Sequence, residues 1–143
     1  MSPSAPHSGH PEGLPHLFLD RSLGRIQVPG LLRAGGLDLT TLAEHYGIPA
    51  DESVADQEWL YMAGAAGWAV LMKDDRIRRR GEERAALRDA GVRAFVLTSG
   101  NFRAAEMAQR FLDNVGRMVA ACADPGPFLY AVHAHQISRL SIG

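Results

Sequence analysis

Cysteine and lysine are scarce in this sequence of 143 residues, and long apolar runs are absent. The single cysteine, Cys122, excludes an intramolecular disulfide framework and any zinc site built from several cysteines. No apolar run approaches the roughly 20 residues that a membrane-spanning helix requires. Residues 1–16 lack the basic and apolar regions of a secretory signal, so we expect a cytoplasmic protein.

An excess of charge of either sign is also missing. The chain has 15 Lys and Arg residues against 16 Asp and Glu residues, a formal net charge of −1, and Lys73 is its only lysine. This balance excludes a polycation that coats nucleic acid by charge alone, but it leaves room for a local basic surface. Apolar residues make up 46% of the chain, which is enough for the core of one globular domain.

The sequence divides into a short polar segment and one domain. Residues 1–13 consist mostly of Ser, Pro, Gly and His, which bury too little apolar surface to offset the entropy of ordering. The first apolar run begins at Leu17. We therefore predict a mobile N-terminal tail over residues 1–16 and a single domain over residues 17–143.

Short apolar runs alternate along the domain with helical patterns. The runs predict strands at residues 17–19, 37–39, 68–72 and 93–98, and one or two final strands over residues 128–132 and 137–142. Apolar spacing, capping residues and terminal glycines predict helices at residues 22–34, 40–46, 56–66, 82–90 and 102–122. Strands that are apolar throughout are typical of a parallel sheet covered on both faces. The predicted fold class is therefore α/β, with a mainly parallel central sheet.

Acidic residues stand where predicted strands end or helices begin. Asp20 follows the first strand, Asp74 and Asp75 follow the strand at 68–72, and Asp56 begins a helix. In an open parallel sheet such positions meet at one edge, where the carboxylates repel each other unless cations lie between them. Oxygen ligands favour Mg²⁺ or Mn²⁺, which can activate water for displacement at phosphorus. Each acid also has a purely structural interpretation, as a turn former or a helix cap.

A basic stretch lies beside the acidic pair. It comprises Lys73, Arg76, Arg78, Arg79 and Arg80. Positive charge around a carboxylate site favours a phosphodiester substrate that is held by its phosphates, with little base specificity. The alternative is a solvated loop whose arginines pair with Glu82 and Glu83.

Five segments resemble the PIN-like domain family, and within it the VapC-type toxins of toxin–antitoxin pairs. They are FLDRSLG at 18–24, LLRAGGLDL at 31–39, DQEWLYMAGAAGW at 56–68, VLMKDDRIRR at 70–79 and PFLYAV at 127–132. The resemblance spans residues 17–142 and implies a three-layer α/β/α sandwich. It implies a Mg²⁺- or Mn²⁺-dependent endoribonuclease that cleaves RNA, often structured RNA such as tRNA, and that a cognate antitoxin holds inactive. Many family members are homodimers.

The resemblance also implies which residues form the site. Three aspartates match the family's catalytic and metal-binding acids: Asp20, Asp56 and Asp74. Two further acids match as additional ligands or supporting groups: Glu58 and Asp75. Met72 departs from the pattern, because the family has a threonine before the Lys-Asp pair. A second hypothesis is therefore a catalytically inactive PIN-like protein that serves as an interaction module. A phospho-acceptor receiver domain fits poorly, because no lysine follows the later strands.

Overall fold

The computed structural model of the protein describes residues 9–73, 80–98 and 100–143. These residues contain the strands β1 (Leu17–Leu19), β2 (Leu39–Thr41), β3 (Ala69–Lys73), β4 (Arg93–Leu97), β5 (Phe128–Val132) and β6 (Ile137–Leu140). All six belong to one sheet with the strand order β2-β1-β3-β4-β5-β6. The first five strands are parallel, and β6 pairs with β5 in the antiparallel direction. The prediction of a mainly parallel sheet is confirmed.

Helices alternate with the strands along the described chain. They are α1 (Gln27–Ala34), α2 (Leu42–Tyr46), α3 (Asp56–Ala66), α4 (Gly81–Asp89), α5 (Ala104–Asp113) and α6 (Val115–Ala121). Single turns of 3₁₀ helix occur at Arg21–Leu23 and Ala50–Glu52. None of the helices in the described residues is long and apolar enough to cross a membrane.

The sheet is buried on both faces. On one face, side chains such as Leu17, Leu19 and Phe95 pack against α1, α5 and α6. On the other face, Phe18 and Val70 pack against α2, α3 and α4. Successive strand residues point to opposite faces, and because both faces are covered, the strands are apolar throughout rather than alternating. This arrangement confirms the predicted α/β/α sandwich.

The strand order places a crevice at one edge of the sheet. β1 lies between β2 and β3. The chain therefore passes from β1 to β2 on one side and then crosses back to form β3 on the other side of β1. In open α/β sheets, ligands bind outside the carboxyl ends of the strands at the point where the order reverses. The residues that directly follow β1 and β3 are therefore the candidates for a binding site.

Two of the predicted helices differ from the observed ones. The helix expected at residues 22–34 begins only at Gln27, which places Pro29 in its first turn, where the missing N–H is not needed. The helix expected at residues 102–122 is interrupted at Asn114. The buried Asn114 amide donates to the carbonyls of Arg110 (2.8 Å) and His133 (2.7 Å) and so ties the break to the end of β5.

The described N-terminal residues pack against the domain. Leu14 is buried in the core on the α1 side of the sheet. His10 Nδ1 accepts a hydrogen bond from the Asp38 N–H (2.9 Å), and its Nε2 lies 3.0 Å from the Leu14 carbonyl oxygen. The sequence predicts a mobile tail up to residue 16, whereas these contacts place residues 10–14 on the domain. Residues 1–8 lie outside the described part of the chain.

Candidate active site

Asp20 lies directly after β1, at the carboxyl end of the sheet. Its Oδ1 accepts hydrogen bonds from the Ser22 N–H (3.2 Å) and from the Ser22 hydroxyl group. Through the first of these bonds, Asp20 caps the 3₁₀ turn that follows. Its own N–H donates to the Leu71 carbonyl oxygen of β3 (3.4 Å). These contacts fix the carboxylate at the junction between β1 and β3.

Ser22 joins the ends of the two strands. Its hydroxyl oxygen accepts a hydrogen bond from the N–H of Lys73, the last residue of β3 (2.9 Å), while the hydroxyl hydrogen points to Asp20. The sequence analysis did not identify Ser22. The sequence does contain a signal for this contact, because a serine two residues after an aspartate is a common turn pattern in which the side chains form hydrogen bonds with nearby backbone groups.

The position of Ser22 bears on the unusual Met72. Met72 is buried in the core on the α3 side of the sheet and has no hydroxyl group to offer. A hydroxyl group nevertheless contacts the Asp20 carboxylate, and it comes from the β1 side of the junction through Ser22. The orientation of Asp20 therefore does not depend on a threonine at residue 72.

Burial raises the pKa of the Asp20 carboxyl group to about 7. The hydrogen bonds from Ser22 act in the opposite direction, because they stabilise the ionised form, and the negative charge of Asp56 adds to the increase. Asp20 and Asp56 are thus close enough for their charges to interact. A positive charge at this point would stabilise the ionised form of Asp20.

Asp56 is the first residue of α3, and Ala55 occupies the cap position before it. Asp56 is therefore not the helix cap that the sequence suggested as its structural role. Its Oδ1 accepts hydrogen bonds from Arg21 Nη1 (3.0 Å) and from the indole Nε1 of the buried Trp59 (2.9 Å). Arg21 also donates to the carbonyl oxygens of Asp51 (3.0 Å) and Val54. Asp56 is therefore held by the core of the domain and by the loop before α3. The sequence analysis did not identify Arg21.

Arg80 lies between Asp56 and a second acid. Its Nη1 is 3.9 Å from Asp56 Oδ2 and 3.2 Å from Oε1 of Glu83, in the first turn of α4. Burial raises the pKa of Glu83, Arg80 opposes this, and the neighbouring Asp56 adds to the increase. The sequence analysis considered Glu83 only as a partner for arginine. The structure also brings it to Asp56, which no sequence spacing indicates.

The remaining predicted site residues are spread over several environments. Lys73 is half-buried at the end of β3, and Glu58 is exposed on α3. Five residues lie outside the described part of the chain: Asp74, Asp75, Arg76, Arg78 and Arg79. Among residues 9–73, 80–98 and 100–143, no three His, Cys, Asp or Glu side chains are grouped so as to hold a metal ion as they stand.

A cleft of about 210 Å³ opens beside Asp20. It is lined by Asp20, Arg21, Gly24, Arg25, Thr41, Leu42, Ala43, Asp51 and Glu52. One wall is fixed by Arg25, which donates two hydrogen bonds to the buried Asp51 (2.9 and 3.0 Å) and holds the pKa of Asp51 below its usual range. The cleft gives a substrate room next to the Asp20 carboxylate.

The donor atoms around the crevice suit a hard divalent cation. Asp20, Asp56 and Glu83 offer only carboxylate oxygens, which are the ligands that Mg²⁺ and Mn²⁺ prefer. Glu83 Oε2 is buried and has no hydrogen-bond partner among the described residues. A buried acceptor atom without a donor is unfavourable, and either a cation or a proton shared with the neighbouring Asp56 carboxyl group would satisfy it. The oxygen donors therefore suit a divalent cation in chemical type, although the described residues are not grouped so as to hold one as they stand.

Comparisons with known proteins agree with this fold. The sequence profile of a family described as "PIN like domain" matches residues 15–99, a range that contains Asp20, Asp56 and Glu83. The chain therefore belongs to the PIN-like domain family. A protein of Mycobacterium tuberculosis (strain ATCC 25618 / H37Rv) named "Putative ribonuclease VapC45" is 42% identical over 127 residues, which cover 89% of this chain and 92% of that protein. This similarity confirms the VapC-type branch. No solved structure matches the chain significantly.

Proposed function

We propose that the protein is a metal-dependent endoribonuclease that acts as the toxin of a toxin–antitoxin pair. The observation that carries this proposal is the Asp20 carboxylate, which is fixed by Ser22 at the point where the strand order reverses and is close to Asp56. The similarity to a relative whose name includes the word ribonuclease supports the same reaction class.

In this proposal the acids at the crevice hold a Mg²⁺ or Mn²⁺ ion. Asp20, Asp56 and Asp74 are the catalytic and metal-binding residues, and Glu58 and Asp75 support them. A divalent cation supplies an activated water and stabilises charge during in-line displacement at phosphorus. Ser22 keeps Asp20 oriented, and Arg21 and Trp59 keep Asp56 in place.

The RNA substrate is held through its phosphates. The residues proposed for this contact are Lys73, Arg76, Arg78, Arg79 and Arg80. Lysine and arginine contacts to phosphate supply affinity and position the strand but carry little sequence information. The cleft next to Asp20 leaves room for the part of the RNA that flanks the cleaved bond.

The family resemblance supports further parts of the proposal. A cognate antitoxin protein holds the nuclease inactive, structured RNA such as tRNA is the substrate, and the protein works in the cytoplasm as a homodimer. Residues 17–143 form the nuclease domain, and residues 1–16 form an N-terminal segment of which residues 10–14 pack on that domain.

The test is an RNA cleavage assay with purified protein and Mn²⁺. We expect the natural protein to cut RNA, EDTA to stop the reaction, and Asp20→Asn to abolish it. The control is Asp124→Asn, because Asp124 pairs with Arg139 of β6, which lies apart from the crevice in the sheet order. Equal cleavage by the Asp20 variant would contradict the assignment.

A catalytically inactive interaction module is the second candidate function. Met72 suggested it from the sequence, and one observation of the structure favours it: Arg21 and Arg80 already face the two oxygens of Asp56. Calorimetric titration with Mn²⁺ separates the two candidates. Binding that is lost in Asp74→Asn supports the nuclease, and absence of binding by the natural protein supports the interaction module.

A further inference from the structure

The cleft at the carboxyl end of β1 has two arginines in its lining, and both are paired within the protein. Arg25 donates to both carboxylate oxygens of the buried Asp51 (2.9 and 3.0 Å) and to Glu52 (3.1 Å). Arg21 donates to the Asp56 carboxylate (3.0 Å) and to two backbone carbonyls. Both positive charges already face carboxylates, so the cleft offers little charge to a phosphate group.

Arg25 is held as a fixed plane in the wall of this cleft. Three of the five donor hydrogens of its guanidinium group are engaged by Asp51 and Glu52. The Asp51 side chain is only 6% exposed and anchors the plane, whereas Arg25 is 40% exposed and lines the cleft. Guanidinium planes are surfaces on which unstacked RNA bases pack, through stacking and through attraction of the cation to the ring. Arg25 therefore offers a ligand a flat surface of fixed orientation.

The remaining lining suits a small, flat and partly apolar group. Leu42 and Ala43, at the start of α2, contribute apolar side chains to it. The volume of about 210 Å³ is below the roughly 300–1,000 Å³ of pockets that hold drug-sized ligands. One planar ring system fits such a space better than a whole nucleotide does. Asp20 lines the same cleft, so a ring that enters it lies next to the candidate active site.

We propose that this cleft is a base-binding subsite, in which the base of a nucleotide next to the cleaved bond stacks on the guanidinium plane of Arg25. This inference rests on the proposed ribonuclease function and adds a contact to a base, whereas Lys73 and the arginines after it contact phosphates. Every base has a π face, so stacking is tolerant of sequence. The subsite therefore contributes affinity and positions the strand beside Asp20 without selecting one base.

RNA binding in the presence of EDTA, measured by fluorescence anisotropy, tests this inference without any need for catalysis. The two ligands are a short single-stranded RNA and an analogue with the same sugar–phosphate backbone but no bases. Arg25→Lys keeps the positive charge and loses the planar group. We expect this variant to bind the RNA about 5- to 100-fold more weakly than the natural protein, the range of one stacked base, and to bind the abasic analogue equally well.

A second variant closes the cleft and leaves Arg25 in place. Ala43→Leu fills part of the space with a good helix former and should show the same selective loss of affinity for the RNA that has bases. Two matched controls should bind both ligands like the natural protein. Arg33→Lys changes an arginine that pairs with Glu44 outside the lining, and Ala65→Leu adds the same side chain at an exposed position of α3. Circular dichroism and urea unfolding check that every variant is folded.

The abasic analogue distinguishes stacking from the other roles that Arg25 could have. A phosphate contact or a purely structural role of Arg25 would change the affinity for both ligands by the same factor, and that result would overturn the inference. Unchanged RNA affinity in either Arg25→Lys or Ala43→Leu would also overturn it. If the natural protein cleaves RNA but shows none of these differences, the base-binding subsite alone is wrong. If it neither binds nor cleaves RNA, both the proposed function and this inference are wrong.

Discussion

Replacing Asp20 with asparagine should stabilise the metal-free protein at neutral and alkaline pH. Asparagine keeps the shape of the side chain, and its carbonyl oxygen can still accept the Ser22 N–H at the start of the 3₁₀ turn. It removes only the negative charge, which the site holds out of water and near Asp56. The same substitution should abolish cleavage, so one change should raise stability and remove activity.

The magnitude follows from the pKa of Asp20. Burial raises this pKa to about 7 in the folded protein, whereas an aspartate in an unfolded chain has a pKa of about 3.9. Between these values the folded state binds a proton that the unfolded state has lost, so the free energy of unfolding falls as the pH rises. A difference of about 3 pH units corresponds to about 4 kcal/mol. Above pH 7 the natural protein has lost this contribution, while Asp20→Asn has no such loss.

Urea unfolding at pH 5 and pH 8, with EDTA present, measures the effect. We expect the natural protein to lose stability between the two pH values and Asp20→Asn to lose much less. Asp124→Asn is the control, and its effect on stability should have the opposite sign, because the Gly126 N–H and Arg139 hold the pKa of Asp124 below its usual range. That variant should be less stable than the natural protein at pH 8. An Asp20→Asn variant that is less stable at pH 8, or that keeps the same pH dependence, would refute the reasoning.

Two further predictions concern the groups that support the site. Ser22→Ala removes the hydroxyl group between Asp20 and the Lys73 N–H, and urea unfolding should show a loss of about 1–3 kcal/mol together with slower RNA cleavage. Because the Ser22 hydrogen bonds lower the pKa of Asp20, the same variant should lose its stability at a higher pH than the natural protein does. Arg25→Gln removes the group that holds the pKa of Asp51 low, a contribution that is present above pH 4 and lost as the pH falls. Its destabilisation should therefore be larger at pH 7 than at pH 3, and an equal effect at both would contradict this role.

Much of the fold could be predicted because local and tertiary preferences agree. Buried parallel strands are apolar throughout, so β3, β4 and β5 were recognisable as runs between turns. β2 begins two residues later than predicted, because its pairing with β1 sets its position. The break at Asn114 could not be predicted, since it depends on hydrogen bonding to the His133 carbonyl, which is close only in the folded chain. The packing of His10 against Asp38 has the same origin.

The site was predictable only in outline. The rule that strand ends meet at a reversal of strand order was enough to bring Asp20 and Asp56 together. It gave no information about Arg21, Ser22 or Glu83. Arg21 and Glu83 act through contacts between segments distant in sequence, such as the 35 residues that separate Arg21 from Asp56. Ser22 contacts the nearby Asp20, but its second contact is with the N–H of Lys73, 51 residues away. A single sequence carries composition and periodicity, but these contacts follow from the way the helices pack on the sheet.

The charges around Asp56 predict that metal changes how the protein binds RNA. Arg21 donates to Asp56 and to two backbone carbonyls, so its donors are engaged within the protein. Arg80 is shared by Asp56 and Glu83, so a metal ion that neutralised these carboxylates would make Arg80 more available to a phosphate. Each added phosphate contact steepens the dependence of log affinity on log salt by about 0.7 for a single strand. With a hydrolysis-resistant RNA analogue, that slope should therefore be steeper with Mn²⁺ than with EDTA, and Arg80→Gln should remove the difference. Equal slopes in the natural protein would show that metal releases no positive group toward RNA.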